Sequence, residues 1–215
     1  MIPLAAVSQR LAGILLFLPV PVVLALFTRQ PLGPWASLGL GVALMVTHRA
    51  YARPFALARA SRRCLWCGGA AGTGPSLALR EPLGSTTWRA CGEGHHLLAV
   101  RTLGWAARHR RFLMVGIPGS LLIFLAAAIA IALDRANGLE MADAVAFFRL
   151  GVAVTVLPLG WLAPSRGPAE MPDRPLPFPV HAQALVGTLV VVWLFRLVGL
   201  WWLVAAIVHV VRRVG

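Results

Sequence analysis

The residues best suited to chemistry are three cysteines and two adjacent histidines in one polar stretch of the chain. Cys64 and Cys67 form a C-x2-C pair followed by two glycines, and Cys91 precedes His95 and His96 in a C-x3-H arrangement. A C-x2-C turn lets two thiolates converge on one ion, and a second pair completes the four ligands that structural zinc requires. The spacing therefore predicts a Zn²⁺ site formed by Cys64, Cys67, Cys91 and His95, with His96 as the alternative fourth ligand.

A site with four protein ligands favours a structural metal, because catalytic zinc keeps one position open for water. Glu93 lies between the ligands and offers a general base, but acidic side chains in such turns are usually only solvated. The first alternative is a group of buried thiols without a metal. The second is a redox-active C-x2-C, although no thioredoxin-type βαβ pattern surrounds it.

The segment between the two ligand pairs predicts a β-hairpin, with strands over Ser76–Arg80 and Ser85–Ala90. An amphipathic helix is expected over Leu97–Arg111. A cysteine turn, a hairpin and two ligands at the start of a helix resemble the treble-clef or zinc-ribbon class of small zinc modules, over about residues 62–110. The resemblance implies the same ligand set. The chain departs from it at C-x3-H, where C-x2-C is commoner, and the choice between the two histidines stays open.

The elements that carry this insert are apolar enough for a membrane. The 215 residues are 59% hydrophobic and 13% charged, and the mean hydropathy is +0.78. This composition excludes a disordered tail, a disulfide scaffold and an ordinary water-soluble enzyme. A membrane span needs roughly 20 apolar residues, and five stretches approach that length: Leu11–Phe27, Trp35–Thr47, Phe112–Leu133, Ala144–Ala163 and Ala182–Val211.

The predicted fold class is an all-α polytopic membrane protein with about five transmembrane helices, four being possible, and a small zinc-ribbon/treble-clef-like insert. The expected organisation is an N-terminal transmembrane hairpin (1–48), an Arg-rich zinc-binding insert (49–111), a transmembrane hairpin (112–163), a Pro-rich linker (164–181) and a C-terminal transmembrane helix (182–215).

The distribution of arginine predicts orientation. All twenty basic residues are arginine, which suggests a GC-rich bacterial genome, and eleven of them lie in residues 48–111. Short cytoplasmic loops carry such an excess, so the insert and the N-terminus are expected in the cytoplasm, beside the inner membrane. Five spans then leave Arg212 and Arg213 outside, against the rule. With residues 144–163 re-entrant, four spans would keep both termini inside.

Five arginines are candidate contacts for lipids or partner subunits. Arg108, Arg110 and Arg111 flank the insert where it meets the membrane, a position suited to anionic phospholipids. Arg149 and Arg196 interrupt apolar runs, and no predicted span contains an acid to pair with them. A carboxylate partner would therefore come from another membrane subunit. For Arg196 the alternative is a shorter span in which the side chain reaches the interface.

Nucleic acid is not expected as a partner, despite the net charge of +13. Single strands bind where aromatic side chains alternate with basic ones. The insert offers only three tryptophans for that purpose, Trp66, Trp88 and Trp105.

The chain lacks the constellations of a membrane enzyme or proton-coupled transporter. All seven acids fall outside the predicted spans, and neither HExxH nor G-x-S-x-G occurs. The favoured function is therefore a non-catalytic accessory or scaffold subunit of a bacterial inner-membrane complex. The first alternative is a small-molecule or lipid transporter or channel component, with proline-broken helices. The second is a redox or pigment-binding subunit using histidines at span ends: His48, His181 and His209.

Small residues recur four apart in the third and fourth predicted spans, at Gly116 and Ser120 and at Gly151 and Thr155. Such spacing lets helix backbones approach closely. We expect these faces to pack within the chain rather than between two copies of it.

Overall fold

The computed structural model describes residues 34–59, 62–81, 84–135, 138–178, 180, 183 and 186–215. Over these residues the protein is mostly helical, with one small hairpin. The elements are α1 (Pro34–Thr47), a π-helical turn (His48–Ala52), α2 (Arg53–Arg59), β1 (Ser76–Glu81), β2 (Gly84–Arg89), α3 (Glu93–Arg108), α4 (Arg110–Ala132), α5 (Met141–Trp161), α6 (Ala163–Arg166) and α7 (Thr188–Val214).

Three of these helices, α4, α5 and α7, are long and apolar enough to cross a membrane. They form a bundle in which α5 packs against both of the others. The insert lies at the end of the bundle where α4 and α7 begin, and α5 runs antiparallel to both. The predicted stretch 144–163 thus coincides, up to residue 161, with α5, one of the three helices long and apolar enough to cross a membrane. Arg212 and Arg213 lie at the end opposite the insert.

The contact between α4 and α5 is built on the predicted small residues. A Cβ on Gly116 would lie 2.3 Å from Oγ1 of Thr155, and one on Gly151 would lie 2.2 Å from Oγ of Ser120. Each hydroxyl also donates to the carbonyl oxygen of the glycine four residues earlier in its own helix, at 2.6 Å for Ser120 and 2.8 Å for Thr155. The two pairs therefore interlock within the chain, as expected.

A core cluster lies beneath the hairpin and continues into the adjoining parts of α4, α5 and α7. β1 and β2 pair antiparallel, with Leu77 opposite Trp88. Leu79 and Trp88 are fully buried, and Leu103 of α3 is buried in the same cluster. The indole Nε1 of Trp88 donates to Oγ1 of Thr86 at 2.9 Å, which satisfies its only polar group. The hairpin thus agrees with the prediction to within a residue or two at each end.

The segment predicted as a stiff Pro-rich linker packs against the insert. The backbone N–H of Leu176 donates to the carbonyl oxygen of Arg80 at 2.9 Å. Leu176 and Val180 are fully buried and belong to the core cluster of the insert. A Cβ on Gly104 of α3 would lie 2.6 Å from Cγ of Pro168. The Pro-rich segment therefore packs as part of the insert.

The first two predicted spans compare differently with the structure. Leu11–Phe27 lies outside the described residues. Trp35–Thr47 falls within α1, which has 14 residues and is too short by itself to span a bilayer. Helical backbone continues past the expected boundary at residue 48, through the π-helical turn and α2 to Arg59.

One acid lies inside a candidate membrane helix, contrary to the prediction that all of them occupy loops. Asp143 is in the first turn of α5 and is 8% exposed. Its carboxylate accepts a hydrogen bond from the backbone N–H of Glu140 at 2.8 Å and contacts Nε2 of His209 at 2.7 Å. Arg213 lies 3.4 Å from the same carboxylate and 3.0 Å from that of Glu140. This cluster was not predicted because α5 begins three residues earlier than expected.

Candidate metal centre

Four of the five predicted ligand residues converge on one point. Cys64, Cys67, Cys91 and His95 place their ligand atoms within 4.8 Å of one another, a group that could hold a metal ion. Nδ1 of His95 lies 2.9 Å from Sγ of Cys91 and 3.8 Å from Sγ of Cys64. The Sγ atoms of Cys67 and Cys91 are 4.0 Å apart. His96, the alternative ligand, does not belong to the group.

These separations fit a tetrahedral ion. With zinc–sulfur bonds of about 2.3 Å and zinc–nitrogen bonds of about 2.0 Å, sulfur atoms lie roughly 3.8 Å apart and sulfur and nitrogen roughly 3.5 Å apart. Two of the observed separations, 4.0 Å and 3.8 Å, are within about 0.3 Å of these values. The Cys91–His95 separation of 2.9 Å would have to open by about 0.6 Å. The residues present therefore fit the metal.

Three local elements position the four ligands, and Cys64 and Cys67 share the first of them. The cysteine turn is closed by hydrogen bonds from the N–H of Cys64 to the carbonyl oxygen of Gly69 and from the N–H of Gly68 to that of Cys64. Gly68 has a φ of 75°, which favours glycine. Cys91 lies two residues beyond the end of β2, and His95 lies in the first turn of α3. The helix begins at Glu93, four residues before the predicted start, and this places His95 rather than His96 at the site.

The thiols differ in acidity. Burial raises the pKa of Cys64, but backbone N–H groups of Cys67, Cys91 and Trp66 donate to its sulfur and lower the pKa to about 6 overall. Desolvation, and then the neighbouring sulfurs of Cys64 and Cys67, raise the pKa of Cys91 to about 11. One thiolate is therefore ready at neutral pH, and a second is disfavoured until a cation offsets the repulsion.

The cysteine turn also contacts the start of α7. The backbone N–H groups of Thr188 and Leu189 donate to the carbonyl oxygens of Leu65 and Trp66, each at 2.9 Å. A Cβ on Gly187, whose φ is 91°, would lie 2.7 Å from the carbonyl carbon of Cys67. The two residues between the first pair of ligands thus satisfy N–H groups at the helix terminus, which have no partner within the helix.

The predicted contacts with lipids or partners occupy three places. Arg108, Arg110 and Arg111 lie at the junction of α3 and α4 and line one cavity. Nε of Arg196 donates to the carbonyl oxygen of Gly160 at 2.8 Å. The guanidinium of Arg196 also lies 4.9 Å from the ring centroid of Trp161 and 4.8 Å from that of Trp193. This arginine is therefore bound within the chain.

Arg149 differs from Arg196. It is half-buried, eight residues beyond the start of α5, or about 12 Å of helix rise. Among the residues that the structure describes, its side chain has no hydrogen bond or ion pair.

The histidines and tryptophans considered for other functions have structural contacts where they are described. His209 contacts Asp143. The side chain of His48 and residue His181 lie outside the described parts. Trp66, Trp88 and Trp105 are 4%, 0% and 8% exposed, so their faces are not open to stacking bases.

No protein-family model, curated protein or solved structure matches this chain. The assignment of the metal centre therefore rests on its geometry alone. Two features were not predicted from the sequence. One is the contact of Leu65, beside the metal centre, with Thr188. The other is the approach of Arg174 to the arginines at the α3–α4 junction. The first joins residues 123 positions apart, and neither has a local pattern that could have revealed it.

Proposed function

We propose that this protein is a non-catalytic scaffold subunit of a bacterial inner-membrane complex, with a structural Zn²⁺ in a cytoplasmic module. The observation that carries the proposal is Arg149, a cation inside a candidate membrane helix with no partner among the described residues. An unpaired charge is costly in hydrocarbon. A carboxylate on a neighbouring membrane protein would remove that cost.

The acids of this chain do not offer such a partner. Glu140 and Asp143 bind Arg213 at the far end of the bundle. The other five acids lie in or beside the insert, near the end of the bundle that carries the insert, or in exposed loops. No acid occurs in residues 1–33, the largest part outside the described residues. The carboxylate that pairs with Arg149 therefore comes from another molecule.

A structural metal suits the geometry of the module. Three sulfurs and one nitrogen form a closed set, with no position left for a substrate. Thiolate-rich tetrahedral sites favour zinc over the hard cations, which prefer oxygen. When bound, the ion would fix the cysteine turn, and the turn holds the start of α7 through Leu65 and Trp66. The function of the metal is thus to fix the position of the zinc-binding insert relative to the bundle.

The orientation follows from charge. The arginine-rich insert at one end of the bundle favours the cytoplasm. Arg213 at the other end conflicts with that rule, but it contacts Glu140 and Asp143, and its Nη2 donates to the carbonyl oxygen of Gly138 at 2.7 Å. These contacts compensate the charge of Arg213. They therefore favour a C-terminal end of α7 on the side of the membrane opposite the insert.

The test is purification of the tagged full chain from its native membrane in mild detergent, with mass spectrometry of the particle. We expect a stoichiometric membrane protein that carries an Asp or Glu within a span. Arg149→Leu should reduce its recovery at least tenfold, and Arg149→Lys should retain most of it. The matched control is Arg212→Leu, which removes an exposed charge at the far end.

Two results would overturn the proposal. One is a stable, monodisperse particle that contains this chain alone. The other is equal recovery of the partner with Arg149→Leu and with the control variant.

A further inference from the structure

A cavity of about 680 Å³ opens at the junction of α3 and α4, where the insert meets the bundle. Four arginines line it: Arg108, Arg110, Arg111 and Arg174. The first three are neighbours in sequence, and Arg174 arrives from the Pro-rich segment that folds over the insert. Among the residues that the structure describes, no acid lines the cavity.

The guanidinium groups in this cavity lack anionic partners among the described residues. Arg108, Arg111 and Arg174 form no side-chain hydrogen bond or ion pair there. Nε of Arg110 donates only to Sδ of Met114, at 3.3 Å, and a thioether is a weak acceptor. The nearest acid in sequence, Asp173, is paired with Arg80 at 2.6 Å.

At the opposite end of the bundle, contacts within the chain neutralise an arginine. Arg213 there contacts two carboxylates and a carbonyl oxygen. The four arginines of the cavity have none of these contacts. Their charge is therefore available to a ligand with several anionic oxygens, such as a phosphate.

Apart from His109, the rest of the lining is apolar. Phe112, which is 41% exposed, and Met114 belong to the first turns of α4, a candidate membrane span. The ring of His109 stacks on Trp105 with centroids 4.1 Å apart, and its Nδ1 donates to the carbonyl oxygen of Trp105 at 2.9 Å. The cavity thus has a cationic part beside the insert and an apolar part that begins on the span.

We propose that this cavity is a binding site for the phosphate headgroup of an anionic phospholipid. The four guanidinium groups contact the phosphate oxygens, and the acyl chains leave along Phe112 and Met114 of α4. Basic pockets of this kind beside transmembrane helices suit anionic lipid headgroups. The inference rests on the proposed membrane placement, and it adds a ligand class and a specific site.

The experiment measures lipid affinity of the purified full chain in neutral detergent. The probes are phosphatidylglycerol, phosphatidylcholine with the same acyl chains, and soluble glycerol phosphate. The test variant is Arg111→Gln with Arg174→Gln, both exposed in the cavity. The control is Arg135→Gln with Arg212→Gln, which removes equal charge from exposed positions at the far end.

We expect phosphatidylglycerol to bind at least tenfold more tightly than phosphatidylcholine and than glycerol phosphate. The cavity variant should lose at least tenfold in that affinity, since each arginine near a lipid surface contributes roughly fivefold. The control should change less than threefold. Zinc content of each sample, by elemental analysis, shows whether the insert has folded.

Equal affinity of the cavity variant and the control for phosphatidylglycerol would overturn the inference. Tighter binding of glycerol phosphate than of the lipid would also overturn it, in favour of a soluble anion. Neither result depends on whether a partner binds Arg149. The failure of the proposed scaffold function would therefore be seen separately from a failure here.

Discussion

Thr188, the first residue of α7, donates two hydrogen bonds to the carbonyl oxygen of Leu65. One comes from its backbone N–H and one from its hydroxyl, and each is 2.9 Å long. Leu65 lies between the first two metal-ligand residues, Cys64 and Cys67. The candidate metal centre and the last described candidate membrane helix are therefore joined by direct contacts.

Replacing Thr188 with valine tests the energetic value of this contact. The hydroxyl is buried, and Thr188→Val keeps the shape of the side chain while leaving the Leu65 carbonyl with one donor fewer. We expect a loss of about 1 kcal/mol in the free energy of unfolding. The measurement is thermal or denaturant unfolding in detergent, followed by circular dichroism.

Thr102→Val is the matched control. Thr102 is 3% exposed, and its Oγ1 has no hydrogen-bond partner among the described residues. Removing an unsatisfied buried hydroxyl should be neutral or stabilising. Equal destabilisation by the two variants would contradict the importance assigned to the Leu65 contact.

Metal analysis of ligand variants tests the centre itself. Cys64→Ser, Cys91→Ser and His95→Ala should each lower the zinc content of the purified protein from about one ion per chain to well below half, because each removes one of four ligands. His96→Ala should leave it unchanged, since His96 lies outside the group. Unchanged zinc in the cysteine variants, or loss of zinc with His96→Ala, would show that the ligand set is wrong.

Zinc affinity should rise with pH. The pKa of Cys64 is lowered to about 6 from 9.0, so between these values the folded chain binds fewer protons than the unfolded one. The stabilisation from this group is therefore fully present above pH 9 and is lost as the pH falls through 6. The pKa of Cys91 is raised to about 11, so its thiol releases a proton on binding the metal near neutral pH.

The expected affinity loss is at least tenfold per unit of falling pH near neutrality, because at least one thiol proton is released on binding, and it is steeper below pH 6 where Cys64 also binds a proton. Competition with a chromophoric chelator between pH 5.5 and 8 measures it. An affinity independent of pH in this range would be inconsistent with thiolate ligands.

A single alanine tests the interlock between α4 and α5. Gly116→Ala places a Cβ where it would lie 2.3 Å from Oγ1 of Thr155. We expect a cost of about 1–3 kcal/mol in unfolding free energy, as for other overpacked interfaces. Gly119→Ala, on the same helix, meets nothing closer than 4.0 Å and should be neutral or slightly stabilising. The reverse order of the two variants would indicate a different helix contact.

The sequence predicted the parts of this protein that depend on short-range spacing. The C-x2-C and C-x3-H pairs identify the ligand residues because a tight turn and a helix start fix their local geometry. Two short runs separated by a turn, Ser76–Arg80 and Ser85–Ala90, identified the hairpin. Apolar length identified three candidate membrane helices. The choice between His95 and His96 required the true start of α3, and helix boundaries are poorly specified by pattern.

Long-range contacts were beyond the sequence pattern. The burial of Asp143 depends on where α5 begins and on the approach of His209 from α7. The position of Arg174 depends on how the Pro-rich segment folds over the insert. A count of prolines predicts the stiffness of such a segment and says nothing of the surface on which it packs.

The contact between Leu65 and Thr188 also sets an order of assembly. The two residues are separated by 123 positions, so the ribosome completes the cysteine turn, the hairpin and two bundle helices before Thr188 is made. All four candidate ligands are therefore synthesised before the helix that the cysteine turn contacts, and the hydrogen bonds between Leu65 and Thr188 form only after residue 188 has been made.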